Sequence, residues 1–137
     1  MSAAPPVTRV FVYGSLRPGS TNPHATFLSF RCPSLGRAKI RGRLFRNGLQ
    51  FAAVHEPNGH KEVTGDVLVL PELHAGDIIE SLDRYEGIGA GMPGPPAFHR
   101  RLIPVTLAGG EMLVCWAWLF ALSIAGLPEV RSGDCLM

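Results

Sequence analysis

The stretch VFVYGSLRPGS, residues 10–20, decides how the chain is read. Val10 to Tyr13 form an apolar run that fits a buried strand, closed by Gly14. Glycine, serine and proline follow, so the strand end opens into a loop. Gly14 and Gly19 have the G-x-x-x-x-G spacing of a phosphate loop. Ser20 and Thr21 then stand where such a loop needs its lysine, and Pro18 removes a backbone donor. The dinucleotide pattern G-x-G-x-x-G is absent. Two readings remain. One is a plain strand-to-loop turn. The other is a loop whose main-chain N–H groups at Gly14, Ser15 and Leu16 point at some other anionic or carbonyl group.

Outward from this strand, residues 1–8 read as a loose tail. A short helix is expected near 22–30, with Thr21 and Asn22-Pro23 as cap material. Residues 35–57 read as two short strands split by Asn47-Gly48, a strong hairpin signal. Val67 to Leu70 fit a strand buried on both faces, closed by Pro71. The clearest helix spans about 76–85, where Ile78, Ile79, Leu82 and Tyr85 share one apolar face. Asp77 suits its positive end, and Gly87 is a natural stop. GIGAGMPGPP, 87–96, is a Gly/Pro loop of a kind that flanks pockets. Residues 97–120 read as two strands joined at Gly109-Gly110, and 127–137 as a tail. Strands dominate, and the βαβα alternation of a doubly wound sheet is missing. The expected class is α+β, built on a curled or closed sheet.

The chain has 137 residues, of which 46% are hydrophobic and 18% charged, the makeup of one compact domain. A net charge of +2 with scattered basic residues argues against nucleic acid. Cys32, Cys115 and Cys135 are odd in number and far apart, which suits packing in a reducing compartment. The five histidines have no ligand-spaced companions, so no metal is expected. No signal peptide is read at the N-terminus. The apolar stretch 112–127 is shorter than the ~20 residues of a membrane span. No membrane association is expected, and a cytoplasmic location is the default.

The candidate acid/base group lies in SLDRYEGIG, residues 81–89. Asp83 and Glu86 are three apart at the helix end, so they share a face. A carboxylate there opposes the helix dipole, at a cost of a few tenths of a kcal/mol. The bland reading is a solvated carboxylate. The functional one is a residue kept for its chemistry. No GxSxG elbow surrounds any serine, and no spacing singles out a Cys/His dyad. FHRR, 98–101, offers two arginines at a strand start, one of which could hold a carboxylate.

Taken together, YGSL (13–16), LDRYEG (82–87), FHRRLIPV (98–105) and SGDC (132–135) resemble the gamma-glutamyl cyclotransferase family, nearest its gamma-glutamylamine cyclotransferase and AIG2-like branch. The resemblance covers about residues 8–135, read as a single domain. It implies a small mixed β-barrel flanked by helices, with a cavity at one side and no cofactor. It also implies that Tyr13, Gly14, Ser15 and Leu16 line the cavity and bind substrate largely through the backbone. Glu86 is the implied general acid/base. Arg17, Asn22 and Arg100 match further family positions and are expected to bind substrate. Phe98 stands where the family commonly has tyrosine, and Cys135 where a tryptophan is common. The implied reaction releases 5-oxoproline and a free amine from a small gamma-glutamyl substrate, by attack of the substrate's own α-amino group. The alternatives are a non-catalytic small-molecule binding or regulatory module on the same scaffold, or a related acyl or amide transferase.

Overall fold

A computed structural model describes residues 7–89, 91 and 94–137. Part of the Gly/Pro loop (Ala90, Met92 and Pro93) and residues 1–6 of the expected tail lie outside the described residues. The elements run β1 (Arg9–Val12), α1 (Pro23–Arg31), β2 (Ser34–Asn47), β3 (Gln50–His55), β4 (Glu62–Val69), α2 (Ala75–Tyr85), β5 (Phe98–Leu107) and β6 (Met112–Phe120). A single 3₁₀ turn, Glu72–His74, leads into α2.

The sheet order is β3-β2-β4-β1-β6-β5, and β2 also pairs with β5. Strands β2, β4, β1, β6 and β5 therefore form a closed five-stranded barrel, with β3 appended to β2. The β1–β6 pair is parallel and every other pair is antiparallel. The molecule is thus a mixed barrel with two helices, as the sequence leads one to expect. Closure leaves fewer open strand edges, the usual liability of a sheet.

Alternation explains the apolar run at β1. Phe11 and Tyr13 point into the barrel with Ile40, Val63, Val67, Val105 and Cys115. Val10 and Val12 point outward and are covered by Leu28 of α1 and Ile78 and Leu82 of α2. Both faces of β1 are therefore dry. The same holds for β4, where Val67 packs inside and Leu68 outside, each with 0% exposure.

Several boundaries differ from expectation. β1 starts one residue earlier and ends at Val12, so Tyr13 stands just past the strand. β2 is a long strand of 14 residues rather than a short one. Its first part pairs with β4 and its last part with β3. The turn at Asn47-Gly48 is where expected, with Gly48 at φ +63°. The tail is more than a tail: Glu129 bridges to Phe45, and the Val130 N–H donates to the Leu44 carbonyl at 2.7 Å. Among the described residues, no helix is long and apolar enough to cross a membrane.

One glycine shows how tightly β1 meets β4. A Cβ on Gly65 would collide with the Val12 carbonyl oxygen and lie 2.7 Å from the Phe11 ring. Gly65→Ala is expected to cost about 1–3 kcal/mol in urea denaturation, the usual penalty of overpacking. Gly76 of α2 has nothing within 4 Å. Gly76→Ala is expected to gain about 0.5–1 kcal/mol from helix propensity.

Candidate active site

The helix end is built by its sequence. Glu86 caps α2, with its N–H on the carbonyls of Leu82 (3.0 Å) and Asp83 (3.1 Å). Gly87 follows at φ +81°, a left-handed conformation that glycine adopts without strain. The Gly87 N–H donates to the Arg84 carbonyl at 3.0 Å and the Ile88 N–H to the Asp83 carbonyl at 2.8 Å. This is the Schellman pattern, and Ile88 packs in the same cluster as Leu82, the apolar contact that accompanies it. The order Asp-Arg-Tyr-Glu-Gly-Ile thus stops the helix at Glu86.

Side chains then dock this end onto the barrel. Asp83 Oδ1 accepts from Arg100 Nε at 3.0 Å and from Trp118 Nε1 at 2.9 Å. The Arg100 guanidinium also lies over the Trp116 ring, 4.3 Å from its centroid. On the other side, the Tyr85 hydroxyl accepts from Asn22 Nδ2 at 2.9 Å and hydrogen-bonds Ser15 Oγ at 3.0 Å. Asn22 Oδ1 meanwhile caps α1 by accepting from the His24 N–H at 2.8 Å.

One cavity results. It is lined by Phe11 to Leu16 together with Gln50, Phe51, Tyr85, Glu86, Phe98 and Trp118. Tyr13, Gly14, Ser15 and Leu16 therefore meet Glu86 in one place. Among the described residues, the N–H groups of Gly14, Ser15 and Leu16 make no hydrogen bond, so three residues lining the cavity carry unpaired main-chain donors. Tyr13 serves as a strut. Its hydroxyl donates to the Trp118 carbonyl at 2.6 Å and accepts from the Ala53 N–H at 3.3 Å. Burial pushes the Tyr13 phenol above its ordinary pKa, and the nearby Glu86 charge adds to that. Tyr13 is therefore neutral at any physiological pH.

Glu86 is partly buried, and no described side chain hydrogen-bonds its carboxylate. Desolvation pushes its pKa from 4.5 up to about 7. Among the described residues, no group of three or more His, Cys, Asp or Glu is placed to hold a metal ion.

Three expected substrate-binding residues are not on the cavity wall. Arg100 is engaged with Asp83 and Trp116. Asn22 holds Tyr85 and caps α1. Arg17 is 1% exposed and bridges two carboxylates, with Nε on Asp66 Oδ2 and Nη1 on Asp134 Oδ1, both at 2.7 Å. Burial works to raise the Asp134 pKa, but the Leu136 N–H and the Arg17 guanidinium outweigh it, and the net shift is downward. Arg17 thus ties the first loop to β4 and to the C-terminal segment. In turn, Gln50, Phe51 and Trp118 line the cavity without having been expected to. They reach it through the β2–β3 and β1–β6 strand pairings, for which local sequence carries no signal.

Replacing Arg17 by Met strands two carboxylates in a dry setting. The expected loss is about 3–5 kcal/mol by chemical denaturation, with part of it recovered when Asp134→Asn is added. The raised Glu86 pKa sets a pH dependence of its own. Below pH 4.5 both folded and unfolded chains keep the proton, and there is no cost. Between 4.5 and about 7 only the folded chain keeps it, so stability falls as pH rises. Above that window the whole cost is present, roughly 3 kcal/mol for a shift of this size. Glu86→Gln is therefore expected to match the parent near pH 4 and to exceed it in stability at pH 8.5.

Comparison with known proteins places this geometry. The family model described as Gamma-glutamyl cyclotransferase, AIG2-like matches residues 10–135. No curated protein sequence matches the chain. Among solved structures, an AIG2-like protein from Mus musculus superposes with a TM-score of 0.68 at 20% identity, covering 91% of this chain and 86% of its own. The protein ytfP from Escherichia coli gives 0.64 at 27% identity, covering 93% and 96%. A structure named gamma-glutamyl cyclotransferase gives 0.60 at 19% identity, covering 89% and 69%. With the family model matched across nearly its whole length, the chain belongs to the gamma-glutamyl cyclotransferase, AIG2-like family.

Proposed function

We propose that this protein is a cyclotransferase that cleaves a gamma-glutamyl amide into 5-oxoproline and a free amine. Family membership supports a cyclotransferase-type activity in general. The observation that carries the specific reading is the pairing of three unspent N–H donors, at Gly14, Ser15 and Leu16, with a desolvated carboxyl group on the same cavity wall.

A gamma-glutamyl amide holds its own nucleophile. The α-amino nitrogen attacks the γ-carbonyl carbon, closing a five-membered lactam, and the bond from that carbon to the amide nitrogen breaks. Two protons leave the α-ammonium group and two arrive on the departing amine. No water, metal or redox partner enters the balance. Because attack is intramolecular, holding the chain folded supplies much of the rate; well-placed groups reach effective molarities on the order of 10⁵ M or more. The N–H groups of the 13–16 loop serve the oxyanion of the tetrahedral intermediate or the substrate's α-carboxylate.

Glu86 carries the protons. An ordinary glutamate, with a pKa of ~4.3, is a weak base toward an ammonium near ~8. At about 7 the match improves, while the ionised form remains available at neutral pH. The same carboxyl, once protonated, hands its proton to the leaving nitrogen.

The purified protein is expected to release 5-oxoproline from at least one gamma-glutamyl amide. Its kcat/KM should rise with pH through a step near 7 as Glu86 ionises. Glu86→Gln should lower the rate by 10² or more while the variant stays folded by circular dichroism. Full activity in Glu86→Gln would remove this carboxyl from the mechanism.

A further inference from the structure

A cavity of about 920 Å³ lies over the outer face of β2 and shares no residue with the candidate active site. Ala38 and Ile40 point into the barrel, so Arg37, Lys39 and Arg41 point out of it, and all three line this cavity. Alternate residues of a strand stand ~7 Å apart, so the three cations form a row. Like charges at that spacing repel, and the fold returns little for them. Lys39 reaches Glu62 at 3.7 Å, with the two side chains 55% and 47% exposed. Arg41 donates to a neutral partner, the Gly59 carbonyl, at 3.1 Å. The Arg37 guanidinium has no partner of its own among the described residues; nearby Asp134 is held by Arg17 at 2.7 Å. The geometry points to a docking groove for an acidic segment of a partner protein, bound in extended form with carboxylates at alternate positions.

Spacing and wall chemistry select this occupant. An extended peptide has the same two-residue period as β2, so its alternate carboxylates fall ~7 Å apart, one to each cation. Among the described residues the acids on the wall are Glu62, beside Lys39, and Asp134, bound to Arg17. Thr64 and Thr106 also line the wall, each opposite Lys39 in the strand register, and add hydroxyls next to the row. The groove then continues along β5. β2 meets β5 only at Ala38 and Lys39, so among the described residues Phe98 to Val105 are paired on one edge alone. A cavity of about 390 Å³ follows that stretch past His99 and Arg101, and His55 lines both cavities. An open strand edge offers N–H and C=O groups to an added chain, a recurring mode of extended-peptide docking. Single-stranded nucleic acid also carries charge in a row. It binds by stacking bases on aromatic side chains, and the wall of the larger cavity has no Phe, Tyr or Trp.

The test uses the purified chain and fluorescein-labelled peptides, with binding read by anisotropy. The probe alternates Glu and Ser over about ten residues, long enough to cross both cavities at ~3.3 Å per residue. One control replaces every Glu by Gln. Another keeps the composition but gathers all Glu into one block. The alternating peptide is expected to bind at least ~tenfold more tightly than the Gln control, since three exposed ion pairs are each worth a few-fold at most. It should also bind several-fold more tightly than the block peptide, and weaken as salt rises from about 50 to about 200 mM. Arg37→Gln, Lys39→Gln and Arg41→Gln combined should bring its affinity down to that of the Gln control, with the circular dichroism of the parent. Lys39→Glu, a single change at an exposed position, should by itself lower it several-fold. Arg31→Gln, which removes the same charge from α1, should leave it unchanged. Binding no tighter than the Gln control, binding equal to that of the block peptide, or full binding by both groove variants each overturns the groove. A single-stranded oligouridylate of equal charge that binds more tightly than the alternating peptide overturns the choice of a protein partner.

Discussion

Two hydrogen bonds on the Tyr85 hydroxyl, one from Asn22 and one shared with Ser15, hold the last turn of α2 against the loop that leaves β1. The candidate site is assembled at that junction. The loop by itself is a strand end with idle N–H groups. The helix by itself is a strand-flanking element with a carboxylate at its unfavourable end. Brought together, they exclude enough water to shift Glu86 to about 7. On the opposite side, Asp83 grips Arg100 and Trp118, so the helix end is held from both flanks.

Much of this was legible in the sequence because local rules wrote it. The Asn47-Gly48 turn, the stop at Gly87, the apolar face of α2 and the two-faced burial of Val67 and Leu68 all follow from short-range chemistry. Glu86 is singled out by the LDRYEG resemblance; its electrostatically awkward place at a helix C-terminus is a weaker signal that a solvated carboxylate would also give. Its cavity was not legible. Gln50 and Phe51 arrive from β3, paired with the end of β2, and Trp118 from β6, the neighbour of β1, and only these strand pairings put them there. The long reach of β2 was hidden for a related reason. Its sequence of alternating basic and apolar residues does not say that two different partners share it end to end.

Arg17 teaches the opposite lesson. A cation one residue past a binding loop invites a ligand-contact reading. Here the guanidinium faces Asp66 and Asp134, and the loop is built on top of that ion triad. In this structure the side chain's contacts are those two carboxylates, which tie the loop to β4 and to the C-terminal segment. Asn22 and Arg100 likewise make internal contacts, Asn22 with Tyr85 and the start of α1, Arg100 with Asp83 and Trp116.

Strand β1 lies between β4 and β6, and Arg17 finds its second carboxylate 117 positions down the chain. Tyr13 likewise waits for the Trp118 carbonyl, 105 positions away. β1 and its loop therefore find one set of partners in β4 and Asp66, midway along the chain, and the other in β6 and Asp134, far beyond it. Contacts this distant demand costly loop closure before they return any stabilisation, which slows folding. Until β6 docks, β1 keeps one edge unpaired, and an apolar strand with an open edge is the part of such a fold most exposed to wrong pairing.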